Sequence, residues 1–146
     1  MAQTLVWDQS VSGYGTQTES LCHLNMFREA LQNIVEKTDG SLGALIMGAD
    51  GLSVEKFFSE EGAESNLDVA AAEFTSLVRN ASRSGSDLDL GELRELVVAL
   101  KSVTVVIRLF NKDYFVVLAL KPDGNLGRGR YELMKAELVL AREFAV

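Results

Sequence analysis

Three short β-rich runs follow one another in residues 91–121, and they restrict the fold more than any other part of the sequence. The runs cover residues 92–100, 103–110 and 114–121, with gaps of two and three residues between them. Connections this short join antiparallel neighbours, so the runs predict a three-stranded meander. In the second and third runs apolar residues do not alternate with polar ones, so both faces of each strand carry apolar side chains. This pattern is typical of strands that are covered on both faces. We therefore expect helices on each side of the sheet.

A second pair of strands is predicted upstream of the meander. Residues 42–48 and 52–58 are rich in apolar side chains and flank the dipeptide Asp50-Gly51. This dipeptide favours a tight hairpin, because both residues tolerate the positive φ that the turn requires. The hairpin and the meander together can form one five-stranded antiparallel sheet.

Three segments have the apolar spacing of helices. The first begins at Ser20 and ends before Asp39-Gly40, the second begins at Asn66 and ends within residues 82–86, and the third covers residues 126–144. Ser20 and Asn66 are typical N-cap residues, and a glycine after the last turn is a typical helix end. The order is therefore α-β-β-α-β-β-β-α, an α+β fold in which helices cover both faces of a five-stranded antiparallel sheet.

The second helix is predicted to have two different faces. A core-facing row is accompanied by a row of small or polar residues. The small row permits close approach of another helix, with a shallow, half-exposed surface as the alternative. The core row is Leu67, Ala70, Ala71, Phe74, Leu77, Val78 and Ala81, and the second row is Val69, Ala72, Glu73, Ser76 and Asn80.

The length of 146 residues favours a single domain. We expect residues 1–19 to be a weakly ordered N-terminal extension and residues 20–146 to form the domain. Within the extension, the apolar cluster of Leu5, Val6 and Trp7 is suited to docking into a groove or adding to a sheet edge. A disordered leader is the alternative.

Charge and cysteine content restrict the partners and the compartment. With 14 basic and 21 acidic residues the net charge is −7, which disfavours nucleic acid and anionic membrane surfaces as main partners. No apolar run approaches the roughly 20 residues that span a bilayer, so no membrane insertion is expected. Cys22 is the only cysteine and no signal-peptide pattern is present. These features predict a cytoplasmic protein.

Residue patterns that support catalysis are scarce. Cys22 and His23 are adjacent within the first helical pattern, so their side chains point to different sides of the helix and form a poor nucleophile–base pair. The acidic residues Asp87, Asp89 and Glu92 resemble the start of a calcium loop but lack the glycine and the final glutamate at the required positions. We therefore expect no catalytic residue, no cofactor and no metal site.

Residues 124–130 contain three glycines together with Arg128 and Arg130, a combination that invites comparison with phosphate-binding loops. The spacing fits neither the dinucleotide-binding nor the P-loop pattern. Both arginines are more simply explained as exposed residues in the first turn of a helix. One functional hypothesis is nevertheless an enzyme or small-ligand binder that uses Arg128, Arg130 and a pocket beside them.

The sheet is predicted to leave one apolar edge open. Residues 93–100 form a suitable edge strand, because Arg94 and Glu95 begin it whereas Val97, Val98 and Leu100 are too apolar for open water. Pairing of this edge with its own copy across a two-fold axis satisfies the backbone amides and covers the apolar side chains.

Two stretches resemble the Roadblock family, which is named for dynein light chains and includes bacterial regulators. The segment GALIMGADGLSVEKF, from Gly43, is similar to the opening hairpin of the family, and VTVVIRLFNKDYFVVLALKPDGNLGRGRYELMKA is similar to its last hairpin and third helix. The second match is the more specific, since two strands, a PDxN turn and an LGxxR helix start occur together. The resemblance covers about residues 27–144.

The resemblance implies a Roadblock-like, profilin-like sandwich that forms a symmetric dimer. In such a dimer the second helix and the central strand of each subunit meet their copies, and one continuous sheet results. Transferred to this sequence, the implied dimer contacts are Val69, Ala72, Ser76, Leu93, Glu95, Leu96, Val97 and Val98.

The resemblance also implies a function. Family members act as scaffolds or regulators of small Ras-like GTPases, and the mutual gliding protein B group stimulates GTP hydrolysis by its partner. The first hypothesis is therefore a non-enzymatic homodimer that binds a small GTPase and accelerates its GTP hydrolysis. The alternative is a structural adaptor, similar to a dynein light chain, without effect on nucleotide turnover. The expected partner contacts are Glu73, Arg79, Asn80 and Arg83.

Overall fold

A computed structural model describes residues 25–59 and 67–144 of the chain. The predicted order of helices and strands is confirmed, and so is the α+β fold. The expected extension at residues 1–19 and both predicted N-caps, Ser20 and Asn66, lie outside the described residues. The helices are α1 (described over 25–37), α2 (Leu67–Asp87) and α3 (Leu126–Phe144), and the strands are β1 (Ser41–Gly48), β2 (Ser53–Phe58), β3 (Glu95–Ala99), β4 (Thr104–Leu109) and β5 (Tyr114–Leu120).

The five strands form one antiparallel sheet in the order β2-β1-β5-β4-β3. The Asp50-Gly51 turn joins β1 to β2 as predicted. Gly51 has φ +87°, and the Asp50 carboxylate accepts a hydrogen bond from the Leu52 amide at 3.0 Å. The central strands β1 and β5 are almost entirely buried, whereas β2 and β3 form the two edges.

Each face of the sheet carries its own apolar core. Helices α1 and α3 cover one face, where Leu31, Leu118 and Leu133 are fully buried. Helix α2 covers the other face, where Ala71 and Val78 pack with side chains from the central strands. The alternation of side chains along each strand therefore divides the apolar residues between two layers, as the filling of both positions in the sequence predicts.

The end of α2 differs from the prediction. The sequence predicts that the helix ends within residues 82–86, whereas it continues to Asp87. Two hydrogen bonds then close it, from the Leu90 amide to the Gly85 carbonyl and from the Asp89 amide to the Ser86 carbonyl, with Asp89 at φ +56°. This pattern is a Schellman motif, in which an aspartate occupies the left-handed position that glycine usually takes. A Cβ atom at Gly85 would stand 2.5 Å from the Gly91 carbonyl oxygen. The last turns of α2 and the connection to β3 therefore approach each other so closely that position 85 requires glycine.

Helix α3 begins at a defined N-cap. The Asn125 side-chain oxygen accepts a hydrogen bond from the Arg128 amide at 3.0 Å, and the Asn125 amide donates to the Asp39 carbonyl at 2.9 Å. Beside this contact, Gly40 lies so close to Gly124 that a Cβ atom on Gly40 would stand 2.5 Å from the Gly124 Cα. The end of α1 and the start of α3 are thus joined through backbone atoms.

Substitution Asn125→Ala is expected to lower the free energy of unfolding by about 1 kcal/mol, the usual cost of losing an N-cap side chain. Asn125→Asp is the matched control, because its carboxylate can accept the same hydrogen bond and favours the positive helix end. Urea denaturation at equal protein concentration provides the measurement. Equal losses in both variants would show that the side-chain oxygen does not stabilise the helix start.

Candidate protein-interaction surface

The outer side of α2 carries the residues that the sequence predicts as contacts. A buried row along the helix, Leu67, Ala71, Thr75 and Val78, packs on the sheet and fixes which side faces solvent. All seven predicted contact residues of α2 are exposed: Val69, Ala72, Glu73, Ser76, Arg79, Asn80 and Arg83. Helix α2 therefore presents both the small residues expected at a dimer contact and the charged residues expected at a partner contact.

One of these residues has a structural contact. The Arg79 guanidinium donates a hydrogen bond to the Ala49 carbonyl in the β1–β2 turn, at 3.2 Å. Arg79 therefore joins α2 to the hairpin, and its substitution would affect the turn as well as any partner. Arg83 is one turn further along the helix and exposed, which makes it the cleaner residue for testing a partner contact.

The core-facing row of α2 differs from the prediction at two positions. Leu77, predicted to face the core, is 43% exposed. Thr75, absent from the predicted row, is buried and donates a hydrogen bond to the Ala71 carbonyl at 3.2 Å. Because a buried hydroxyl can bond to the carbonyl one turn earlier, threonine is tolerated inside this helix. Leu77 adds to the apolar area on the outer side of α2.

Strand β3 is an edge, as predicted, but it is shorter than the predicted strand. It covers Glu95–Ala99, and Leu93, predicted as a dimer contact within the strand, precedes it and lies partly buried against the α2 core. Leu96 and Val98 also pack against that core, whereas Val97 is 40% exposed. The shortening arises because the end of α2 and Gly91, with φ +104°, use the residues before Arg94 for the connection.

The hydrogen bonds around β3 identify which backbone groups face outward. The Leu109 amide donates to the Arg94 carbonyl, and the Leu100 amide donates to the Val103 carbonyl. In an antiparallel pair such bonded positions alternate with non-bonded ones. Glu95, Val97 and Ala99 therefore direct their backbone amides and carbonyls away from β4, towards the open side of the sheet as far as the described residues extend.

Four charged side chains connect this edge to α3. Glu95 pairs with Arg108 on the adjacent strand at 3.2 Å and with Arg130 of α3 at 2.5 Å, and Arg108 also pairs with Glu137 of α3 at 2.7 Å. The hydrogen bond to Glu95, and then its negative charge, raise the pKa of the Arg130 guanidinium above its ordinary value. Arg108 and Glu95 are only 17% and 14% exposed, so their attraction is screened less than that of a surface pair. The cluster holds α3 against the edge strand.

The arginines at the start of α3 point to carboxylates and do not converge on an anion site. Arg128 pairs with Glu132 at 2.8 Å and Arg130 with Glu95. A groove of about 660 Å³ lies between the end of α2 and the start of β3, and its lining mixes Arg94 and Lys112 with Asp89 and Glu92. Neither place has the charge pattern of a phosphate-binding loop.

Three further expectations from the sequence concern metal sites, membrane-spanning helices and the pair Cys22 and His23. Within residues 25–59 and 67–144, no three His, Cys, Asp or Glu side chains lie close enough together to hold a metal ion. This holds also for the acidic stretch from Asp87 to Glu92. None of the helices in those ranges is long and apolar enough to cross a membrane. Cys22 and His23 lie outside the described residues.

Comparison of the sequence with family models and with curated proteins gives no match. Comparison of the fold with solved structures gives clear ones. MglC from Myxococcus xanthus is 38% identical, with 80% of this chain and 98% of MglC covered and a TM-score of 0.62. At that identity and coverage, the likeness shows common family membership in addition to a common fold.

Two more distant structures have the same fold. A Roadblock/LC7 domain from Streptomyces avermitilis is 16% identical, covers 82% of this chain and 98% of its own, and has a TM-score of 0.71. An MglB solved in a tetrameric arrangement is 19% identical, covers 85% of this chain and 93% of its own, and has a TM-score of 0.76.

Proposed function

This chain belongs to the Roadblock family, in the branch that contains MglC and MglB, and we propose that it is a non-enzymatic homodimeric regulator that binds a small Ras-like GTPase. The observation that carries the proposal is the position of the β3 edge beside the exposed side of α2. The open backbone groups of the edge and the exposed apolar side chains of α2 support a protein partner at this surface. The tetrameric arrangement of an MglB supports self-association as a property to expect here as well.

The dimer contact is proposed at β3 and α2. Pairing of two β3 edges about a two-fold axis would satisfy the outward backbone groups of Glu95, Val97 and Ala99 in both copies. The same axis would bring the two α2 helices side by side, where Ala72 and Ser76 allow close approach. Contact would remove exposed apolar side chains from water, among them Val69, Leu77 and Val97, which are 64%, 43% and 40% exposed.

The GTPase contact is proposed on the polar part of α2 and the adjoining loops. Glu73, Asn80 and Arg83 are exposed there, and Arg79 fixes the neighbouring β1–β2 turn. A surface that fits the ordered switch loops of a GTP-bound partner binds that state more tightly than the GDP state. The difference in affinity then shifts the partner towards its hydrolysis-competent conformation, and no catalytic residue from this chain is required.

Affinity capture with the purified protein tests this function. Native lysate is loaded with GDP or with a non-hydrolysable GTP analogue, and the captured proteins are identified by mass spectrometry. We expect a small GTPase to be enriched with the GTP analogue and to hydrolyse GTP faster when the protein is added. Binding without faster hydrolysis would favour the adaptor, and a nucleotide-independent catch without any GTPase would contradict the proposal.

Charge reversal at Arg83 is expected to weaken binding of that GTPase by about tenfold, since a favourable charge at the contact becomes an unfavourable one. Lys37→Glu is the control, because Lys37 is an exposed cation on α1, which covers the face of the sheet opposite to α2. Titration by isothermal calorimetry measures both variants. Equal affinity of Arg83→Glu and the unmodified protein would place the GTPase elsewhere.

A further inference from the structure

The outer side of α3 is a narrow apolar stripe that the proposed dimer leaves exposed. Tyr131, Met134 and Leu138 are 48%, 45% and 70% exposed. They follow one another at steps of three and four residues, which is the spacing of the a and d positions along a coiled-coil seam. Helix α3 covers the face of the sheet opposite to α2, so pairing through α2 and β3 would not cover this stripe.

A row of cations borders the stripe. With Tyr131 and Leu138 as a positions, Arg128, Lys135 and Arg142 all occupy e positions, seven residues apart. All three are exposed. In paired helices the e and g positions meet charged side chains of the other helix and select it by charge. The row is basic although the whole chain carries a net charge of −7.

The carboxylates of α3 whose side chains are described face inward. Glu132 is 3% exposed and lies 2.8 Å from Arg128 and 3.5 Å from Lys135. Glu137 pairs with Arg108 of the sheet at 2.7 Å. Among the described side chains of α3, Glu132 is therefore buried and Glu137 partly buried, whereas the three cations are exposed, so an approaching molecule meets positive charge first.

The stripe also contains a side chain that is held in place. The centre of the Tyr131 ring lies near two cations, 5.7 Å from the Arg128 guanidinium carbon and 5.4 Å from the Lys135 ammonium. These distances are within the range of cation–π attraction. An exposed tyrosine that is already ordered loses little conformational freedom on binding, and tyrosine, methionine and arginine are enriched at the centres of protein interfaces.

We propose that this surface, named here the α3 seam (Tyr131, Met134 and Leu138 with the e-position row Arg128, Lys135 and Arg142), binds an acidic amphipathic helix of another protein. The seam spacing fits a helix better than a strand, and the basic row requires acidic residues opposite it. A second copy of α3 is a poor occupant. Two copies in antiparallel orientation would bring three cations against three cations.

A designed peptide tests the proposal directly. The probe is a fluorescent helix of about three heptads with leucine at a and d and glutamate at e and g, and the control peptide carries lysine at e and g. Fluorescence anisotropy with the full chain measures both affinities. We expect the acidic peptide to bind at least about tenfold more tightly than the basic one, with an affinity that falls as salt rises.

Variants locate the peptide on the protein. The double substitution Lys135→Glu with Arg142→Glu is expected to weaken the acidic peptide by about tenfold or more and to improve binding of the basic peptide, since attraction and repulsion exchange. Leu138→Ser should also weaken binding. The matched controls are Lys101→Glu, an exposed cation in a turn, and Leu52→Ser, an exposed leucine in the β1–β2 turn, and both should bind as the unmodified protein does.

Several results would overturn the proposal. These are equal affinity for the two peptides, unchanged binding by the double variant, or amide chemical shifts that change in α2 and β3 instead of α3 when the peptide is added. Sedimentation of the protein alone completes the test. If the Leu138→Ser substitution lowers the mass of the free protein, the seam is occupied by a second copy and not by an acidic helix.

Discussion

Proline in place of Val97 is expected to convert the proposed dimer into a monomer without unfolding the subunit. The Val97 amide points away from β4, so the β3–β4 ladder does not depend on it. Proline removes this donor from the open edge and places its ring where a second strand would pair. A carbonyl of the second copy that is buried without a hydrogen bond costs about 1–3 kcal/mol. Because of the two-fold symmetry this loss occurs at two places, so the dissociation constant should rise by roughly a hundredfold or more.

The neighbouring residue supplies the control. Val98 occupies a bonded position with Val105, so Val98→Pro should break the ladder and lower subunit stability. Multi-angle light scattering gives the mass of each variant, and circular dichroism gives its folded content. A Val97→Pro protein that remains dimeric and folded would exclude pairing through the β3 edge. Loss of folding in both variants would instead point to Val97→Lys, which keeps the backbone amide, as the informative substitution.

Leu118→Ala is expected to lower the free energy of unfolding by about 2–5 kcal/mol, the range for truncation of a leucine in a well-packed core. Leu118 is fully buried on central strand β5 and pairs with Ala44 on one side and Val106 on the other. One of its methyl groups lies 2.9 Å from where a Cβ atom at Gly129 would stand. Helix and sheet therefore meet closely at this side chain, and the neighbours have little freedom to fill the space.

Leu52→Ala is the matched control for this substitution. Leu52 is 68% exposed in the β1–β2 turn, so the same truncation should change stability by no more than about 0.5 kcal/mol. Both variants are compared by guanidinium denaturation at one protein concentration, because the stability of a dimer depends on concentration. Similar losses for the two leucines would mean that the packing around Leu118 differs from that described.

The sequence predicts the sheet well because its signals are local. The gaps within the meander are too short for any crossover, and Asp50-Gly51 tolerates the backbone conformation of a tight turn. The start of β3 is predicted less well, since it depends on how α2 ends. That end uses Asp89 with positive φ and a close crossing of Gly85 and Gly91, which hydrophobic periodicity does not reveal.

The interaction surface is predictable only in outline. Periodicity identifies the exposed side of α2, but it assigns Leu77 to the core, because a leucine beside an apolar row has the same spacing whether or not the sheet reaches it. The pairing of Arg128 with Glu132 could have been inferred from their four-residue separation. The pairing of Arg130 with Glu95 could not, since the two meet only after β3 is placed beside α3.

The strand order determines when, during synthesis of the chain, the sheet can be completed. Strand β1 pairs with β2 on one side and with β5, the last of the five described strands, on the other. During synthesis the first hairpin therefore emerges with an apolar inner edge whose partner has not yet been made. The sheet cannot close until β5 has left the ribosome. Completion of the sheet thus depends on one long-range pairing, which is slow, and the nascent hairpin needs protection from other chains in that interval.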